Sequence, residues 1–248
     1  MEQEVGHLPV MLEEVILALS PHPGSFQIDA TVGGGGHAVR ILEAATPGGR
    51  LLGIDADARA IERSTRRLAP YGERAIVRQA NFESIADVAT DNGFDAVDGI
   101  LMDLGLSSHQ LDDDDRGFSF RSHDELDMRF DTRVGIPASE VVASYSEAEL
   151  ADVFKRHGED PHARRIARAI VAERERKPIE TPAQLADVVT RATPRPKSTR
   201  RRRIHPATRV FQALRIEVNR ELETLPTALE SAVDLLKPCL LYTSDAAD

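Results

Sequence analysis

The chain has 248 residues, of which 41% are hydrophobic and 29% are charged, and it carries one cysteine, Cys239. This composition excludes an internal disulfide and a cysteine-based zinc or iron–sulfur site, and no apolar stretch approaches the ~20 residues of a membrane span. The net charge of −10 argues against a protein that is basic throughout and binds nucleic acid over its whole surface. We therefore expect a soluble, cytoplasmic protein with no membrane segment and no metal.

The first hundred residues alternate strand-like with helix-like segments. Strands are predicted at residues 26–30, 50–55, 75–80 and 97–103, and helices between them at 37–45, 57–68 and 85–89. Strands that alternate with helices indicate βαβ units and a parallel sheet. The predicted fold class is therefore α/β.

The pattern changes after the fourth strand. Residues 104–145 are polar and predicted to be irregular, and three helices follow them. The first of these begins with a capping box of Ser146 and Glu149, and the third with a capping box of Thr181 and Gln184. This change predicts a small helical domain that is inserted into the α/β domain.

A long amphipathic helix is predicted from Pro206 onward, because its apolar residues recur every three or four positions. Pro226 is expected to kink or divide this helix. We therefore assign residues 1–110 and 206–238 to the α/β domain and residues 111–205 to the inserted helical domain.

The strongest local motif lies between the first predicted strand and the first predicted helix, where residues 29–37 read Asp-Ala-Thr-Val-Gly-Gly-Gly-Gly-His. Glycines let the backbone approach a ligand closely, and a helix N-terminus attracts an anionic group. Asp55 ends the second strand, 20 residues after Gly35, where a carboxylate can accept both ribose hydroxyls of a nucleoside. Ala38 stands where the dinucleotide fingerprint requires its third glycine. The motif therefore favours S-adenosylmethionine over NAD, and a nicotinamide-dependent oxidoreductase remains the alternative.

Two later strand ends fit the same ligand. Phe82 follows the third strand and can cover a purine ring, although a single phenylalanine is more often part of a core. Asp103 follows the fourth strand, at the carboxyl edge where open α/β sheets bind their ligands.

A basic segment runs from residue 191 to residue 209 and contains no acid. Its eight basic residues are Arg191, Arg195, Lys197, Arg200, Arg201, Arg202, Arg203 and Arg209. We expect this segment to contact RNA phosphates, and it can remain unfolded until RNA binds.

Several stretches have a more specific pattern than the glycine loop. The most specific are Gly117-Phe118-Ser119-Phe120, Leu126-Asp127-Met128-Arg129 and residues 205–216, which read His-Pro-Ala-Thr-Arg-Val-Phe-Gln-Ala-Leu-Arg-Ile. With residues 7–12, 29–37, 103–108 and 163–170, they resemble the bacterial 16S rRNA (cytosine-N4)-methyltransferase family. The resemblance covers about His7 to Pro238.

This resemblance implies a Rossmann-like class I methyltransferase that uses S-adenosylmethionine and modifies 16S rRNA within the small ribosomal subunit. The cofactor residues that it implies are Gly35, Gly36, His37, Asp55, Phe82, Asp103 and Gln110, and the RNA-binding residues are Arg200, Arg201, Arg202 and Arg203. Asp103 is the candidate acceptor for the proton of the cytosine amine, with the carbonyls and hydroxyls of residues 104–108 as rivals. A non-catalytic RNA-binding or ribosome assembly factor remains a further alternative.

The end of the chain departs from the family pattern. Residues 239–248 do not resemble the family, in which glycines and a further strand follow Pro238. We therefore expect a foreign tail, an incomplete sheet and an inactive chain. Without the later strands, residues 97–102 would form an unprotected apolar edge.

Overall fold

The structure is a computed structural model that describes residues 9–106, 114–194 and 205–238. The chain divides into two compact units. The sheet unit comprises residues 1–107 and 223–248, and the helical unit comprises residues 108–222.

The sheet unit contains four parallel strands: β1 (Phe26–Asp29), β2 (Arg50–Asp55), β3 (Ala75–Gln79) and β4 (Gly99–Leu101). Its helices are α1 (Leu12–Leu19), α2 (Gly36–Ala44), α3 (Ala58–Leu68) and α4 (Ile85–Asp91). The strand order is β3-β2-β1-β4. These elements confirm the predicted α/β class, and α1 is a helix that the sequence pattern did not predict.

Apolar side chains cover both faces of the sheet. Ile28, Leu52 and Ile54 belong to one buried cluster, together with Phe94, whereas Leu51 belongs to a second cluster. Neighbouring residues of a strand point to opposite faces, so Leu51 and Leu52 supply different clusters. A sheet that is buried on both faces needs apolar residues on both sides of a strand, and β2 supplies them with Leu51, Leu52 and Ile54.

The chain order of the strands reverses between β1 and β4, which are neighbours in the sheet. Open α/β sheets bind ligands at such a reversal, in the crevice beyond the carboxyl ends of the strands. A ligand-binding site is therefore expected among the residues that follow β1, β2 and β4.

The helical unit contains α5 (Ala138–Ser144), α6 (Glu147–Arg156), α7 (Ala163–Arg174), α8 (Pro182–Ala192) and α9 (Thr208–Asn219). Both predicted capping boxes are present, at Ser146 with Glu149 and at Thr181 with Gln184. The predicted irregular segment is more ordered than expected, because it includes α5 and buries Phe118 and Leu126.

The second domain boundary differs from the prediction, because residues 206–222 belong to the helical unit. Within that unit α9 buries Val210, Phe211 and Leu214. The Tyr145 hydroxyl donates to Glu217 over 3.1 Å, and the Asn219 side chain donates to the Met128 carbonyl over 2.8 Å. Amphipathic periodicity identifies an apolar face but does not identify the partner that covers it.

The long helix predicted after Pro206 is divided at Arg220 and not at Pro226. Arg220 has a left-handed φ of 52° and ends α9, after which α10 (Glu221–Leu235) begins. Pro226 lies inside α10 and does not divide it.

The expected unprotected edge is partly paired. Val97 forms a parallel bridge with Leu236, since its N–H donates to the Leu235 carbonyl over 2.9 Å and its carbonyl accepts from the Lys237 N–H over 3.0 Å. The Lys237 Nζ also donates to the Asp98 carboxylate over 2.6 Å. The prediction for residue 97 was therefore wrong, because the chain after α10 returns to the sheet. Residues 239–248 lie outside the described residues.

Candidate functional site

The loop between β1 and α2 is a tight turn built on the glycine run. Gly33 and Gly35 have positive φ angles of 50° and 76°, which side chains with a Cβ rarely adopt. The Gly35 N–H donates to the Val32 carbonyl over 2.7 Å, and Gly35 is the N-cap of α2. The glycine run thus directs the first turn of α2, with its free amide groups, toward the carboxyl edge of the sheet.

Asp55 connects this loop to the end of β2. One carboxylate oxygen accepts from the Gly33 N–H and the other from the Asp57 N–H, both over 2.9 Å. Burial raises the pKa of Asp55 to about 6, against the lowering effect of these two hydrogen bonds. Each carboxylate oxygen has a second acceptor position, so Asp55 can also receive hydroxyl donors from a ligand.

Asp29 is the most buried acid of this edge and lies at the end of β1, with 1% of its surface exposed. One of its oxygens accepts from the Thr31 N–H over 3.2 Å. The pKa of Asp29 is raised to about 7, chiefly by burial and additionally by the negative charges of Asp55 and Asp103, against the lowering effect of the hydrogen bonds from Thr31. The three strand-end carboxyl groups are therefore close enough to interact electrostatically.

Asp103 follows β4 and is exposed. Its backbone N–H donates to the Thr31 hydroxyl over 2.7 Å, which ties the end of β4 to the turn after β1. Its carboxylate is therefore held on an anchored backbone at the strand-order reversal.

His37 and Gly36 begin α2 and are both close to the segment before α1. The His37 Nε2 donates to the Val10 carbonyl over 3.0 Å, and His37 is buried with 8% of its surface exposed. A Cβ on Gly36 would overlap with the ring of Pro9. His37 therefore uses one ring nitrogen in a structural contact, and its backbone remains at the helix N-terminus.

Phe82 lies in a short 3-10 helix (Phe82–Ser84) directly after β3. It is partly buried and packs against the core cluster that contains Ile28 and Ile54. Phe82 therefore packs against the core and still exposes part of its surface. Gln110 and Arg200 to Arg203 lie outside the described residues.

The structure brings together two residues that the sequence reading did not select, Asp29 and Thr31. A charged residue at the end of an otherwise apolar strand was the available signal for Asp29. Thr31 carried no comparable signal, because its role depends on a hydrogen bond to a residue 72 positions away.

The chemical preference of the site follows from its charges. The strand-end acids attract a cation wherever they are ionised, and they disfavour a pyrophosphate. Within the described part of the chain, no group of three or more His, Cys, Asp or Glu side chains is arranged to hold a metal ion. The fit is to an organic ligand that carries positive charge and hydroxyl groups.

Replacing Gly36 by alanine is expected to lower the free energy of unfolding by about 1–3 kcal/mol, because the new Cβ would collide with Pro9. Urea denaturation of the purified variant measures this loss. Pro9→Ala removes the colliding Cγ and Cδ atoms, so the double variant is expected to recover most of the lost stability. Equal destabilisation with and without Pro9→Ala would show that this contact is not the cause.

No helix in the described ranges combines the length and the apolar character needed to cross a membrane.

Comparisons with known proteins agree on one family. The family model of the MraW methylase family matches residues 4–239. A ribosomal RNA small subunit methyltransferase H from Thermomicrobium roseum is 52% identical over 232 residues, which are 94% of this chain and 70% of the relative. The protein of the same name from Desulfotalea psychrophila is 47% identical and matches 96% of this chain and 80% of its own length.

Among solved structures, a SAM-dependent methyltransferase from Aquifex aeolicus aligns with a TM-score of 0.27 and 15% identity, over 29% of this chain and 39% of its own. A TM-score this low does not support a structural inference. The family match covers nearly all of the chain, and it decides against a nicotinamide-dependent oxidoreductase. The chain, with its glycine loop and strand-end carboxylates, belongs to the MraW methylase family.

Proposed function

We propose that this protein transfers a methyl group from S-adenosylmethionine to the N4 amine of a cytidine in 16S rRNA of the small ribosomal subunit. The observation that carries the proposal is the family match over residues 4–239. The names of the relatives, which are small-subunit rRNA methyltransferases, support the substrate. A cytoplasmic location follows from that substrate.

The strand-end carboxylates support the cofactor. S-adenosylmethionine supplies a methyl group on a positively charged sulfur, and it carries an ammonium group as well. Asp55 accepts the ribose hydroxyls with its remaining lone pairs, and Phe82 covers the adenine. Gly35 forms the N-cap, and the amide groups of Gly36 and His37 in the first turn of α2 would bind the methionine carboxylate. Gln110 completes the pocket by resemblance to the family.

The acidic group also suits the reaction. The N4 lone pair of cytosine is delocalised into the ring, so an acceptor on its N–H helps to localise it. On methyl transfer to N4 the methyl–sulfur bond of the donor would break, the electron pair would stay on sulfur, and Asp103 would receive the amine proton. The backbone carbonyls and hydroxyls of residues 104–108 are the rival acceptors. The target base must leave its stack to reach such a pocket.

The helical unit is proposed to bind the RNA substrate, together with the basic segment 191–209. In the described part of that segment, Arg191 pairs with Glu173 over 3.1 Å, and Arg209 is exposed. The segment has no acid of its own between these two arginines. Its local positive charge is therefore compatible with the negative net charge of the chain.

The affinity for single-stranded RNA is expected to fall steeply with salt. About six phosphate contacts would produce a slope of log K against log salt near −4. Replacing Arg200 to Arg203 by glutamine is expected to flatten this slope by about 3 and to leave S-adenosylmethionine affinity unchanged. Fluorescence anisotropy titrations between 50 and 300 mM salt measure the slope. A slope that is the same in the variant would remove the arginine run from the RNA interface.

The deciding experiment for the proposed function is methyl transfer followed by nucleoside mass spectrometry. Small-subunit particles that lack the modification are incubated with the protein and S-adenosylmethionine carrying a labelled methyl group. The expected product is N4-methylcytidine. A label at another atom or on another RNA would contradict the proposal. RNA binding without transfer would fit the non-catalytic assembly factor and equally the inactive chain that the sequence predicts, so the relative from Thermomicrobium roseum is assayed in parallel to separate the two.

A further inference from the structure

A stack of aromatic rings lies in the helical unit, away from the cofactor residues in the sequence. The imidazole of His205 stacks on the ring of Phe120 with the centroids 4.4 Å apart and the planes at 7°. Phe211 also contacts Phe120, edge-on with the centroids 5.9 Å apart and the planes at 88°. Phe211 is buried in α9, Phe120 is half-buried and His205 is exposed. The stack therefore leads from the core of the unit to its surface.

A hydrogen bond from the backbone fixes the orientation of the His205 ring. The Ala207 N–H donates to His205 Nδ1 over 3.2 Å, just before α9 begins. An accepting Nδ1 leaves the proton of the neutral ring on Nε2. One face of the imidazole is covered by Phe120, and His205 as a whole is exposed. The result is a flat, pre-oriented aromatic surface at the end of a supported stack.

Basic side chains flank this surface in the sequence. Arg121 follows Phe120 directly and is exposed. Arg209 is also exposed, and one of its guanidinium N–H groups donates to the Glu159 carbonyl over 2.6 Å. The basic segment 191–209 includes His205 itself. An aromatic surface beside arginines is the chemistry that binds unpaired nucleobases, by stacking on the ring and by contacts to phosphates.

We propose that His205, supported by Phe120, is a stacking platform for an unpaired base of the RNA substrate. The identity of that RNA rests on the proposed function, whereas the platform itself rests on the geometry of the three rings. The platform binds by ring contact and not by charge, so it adds affinity that salt does not screen. The platform thus positions one base of the RNA, and Arg121 and Arg209 contact the phosphate backbone of the RNA.

Two variants separate stacking from the structural role of His205. His205→Asn keeps a hydrogen-bond acceptor for the Ala207 N–H and removes the ring. His205→Phe keeps the ring and removes the acceptor. The probe is a labelled 12-nucleotide single-stranded RNA rich in cytidine, titrated at fixed salt. For His205→Asn we expect a loss of affinity of about 5- to 150-fold with an unchanged salt slope, and for His205→Phe an affinity within about 3-fold of the original.

A purely structural role predicts the opposite order. His205→Phe would then lower the melting temperature and the RNA affinity, and His205→Asn would preserve both, which would overturn the platform. Equal affinities for the original protein and both variants would overturn it too. An oligomer of the same length with abasic sugars in place of nucleosides is expected to bind the original protein and His205→Asn equally well. If His205→Asn melts early, His205→Leu replaces it, since leucine keeps an apolar contact on Phe120.

These titrations need no methyl transfer, so they remain decisive even for a chain that transfers none. Failure of the proposed function appears as a missing or different methylated nucleoside. Failure of the platform appears as RNA affinity that does not depend on the ring at position 205.

Discussion

Asp55→Ala is expected to weaken S-adenosylmethionine binding by about 10- to 150-fold, as measured by isothermal titration calorimetry. The variant loses hydrogen bonds between a carboxylate and the ribose hydroxyls, and bonds to a charged group are worth about 1.5–3 kcal/mol. It also releases the Gly33 and Asp57 N–H groups, which both donate to Asp55 over 2.9 Å. The glycine turn is then less well held in its binding conformation.

The control for this variant is Asp95→Ala, which removes an exposed acid from the same unit. It is expected to leave the affinity within about 2-fold of the original. A folded Asp55→Ala protein with unchanged affinity would remove Asp55 from the cofactor site.

The pH dependence of binding provides an independent check on Asp55. Burial raises the pKa of this carboxyl group to about 6. Below that pH Asp55 takes up a proton and loses part of its acceptor capacity for ribose hydroxyls, so the affinity is expected to fall as the pH drops from 7 to 5. In Asp55→Ala this contribution to the fall is absent.

Asp29→Asn is expected to stabilise the protein at pH 8 and to change its stability much less at pH 4. Burial raises the pKa of Asp29 to about 7 from an ordinary value of 3.8. The native state therefore binds a proton more tightly than the unfolded state, and the free energy of unfolding falls as the pH rises through this window. A shift of about three pKa units corresponds to at most about 4 kcal/mol at pH 8.

Urea denaturation at pH 4, 6 and 8 measures this effect. The asparagine side-chain oxygen can still accept from the Thr31 N–H, so the turn is preserved in the variant. The difference between the two proteins is expected to grow with pH. A variant that is less stable at every pH would show that the Asp29 carboxylate is held by contacts that outweigh its burial.

Cofactor binding connects this stability to function. A carboxylate buried at the sheet edge is unfavourable in the free protein, and a cationic ligand nearby reduces that cost. Asp29→Asn is therefore expected to combine higher stability with weaker S-adenosylmethionine binding. Such an exchange of stability for binding is common at functional sites.

The local elements of this protein could be predicted because their causes are local. Short apolar stretches, such as Leu51-Leu52 in β2 and Ile76-Val77 in β3, indicate the strands, and the glycine run specifies the turn before α2. The capping boxes at Ser146 and Thr181 are satisfied by residues three positions away. Asp55 could be selected as a ligand residue because its distance from the glycine turn is set by one βαβ unit.

The tertiary structure decided everything that depends on which segments meet. The strand order β3-β2-β1-β4 brings Asp29, Asp55 and Asp103 to one edge, where burial and then the two neighbouring acids raise the pKa of Asp29. The pairing of Val97 with Leu236, and the packing of α9 within the helical unit, join residues that are far apart in the chain. A periodic pattern shows that a face must be buried, but the partner is selected by the energy of the whole fold. The ring stack of Phe120, His205 and Phe211 has the same origin, because Phe120 is far in the chain from the segment 205–216 that carries the other two rings, and the stack exists only when these two segments pack together.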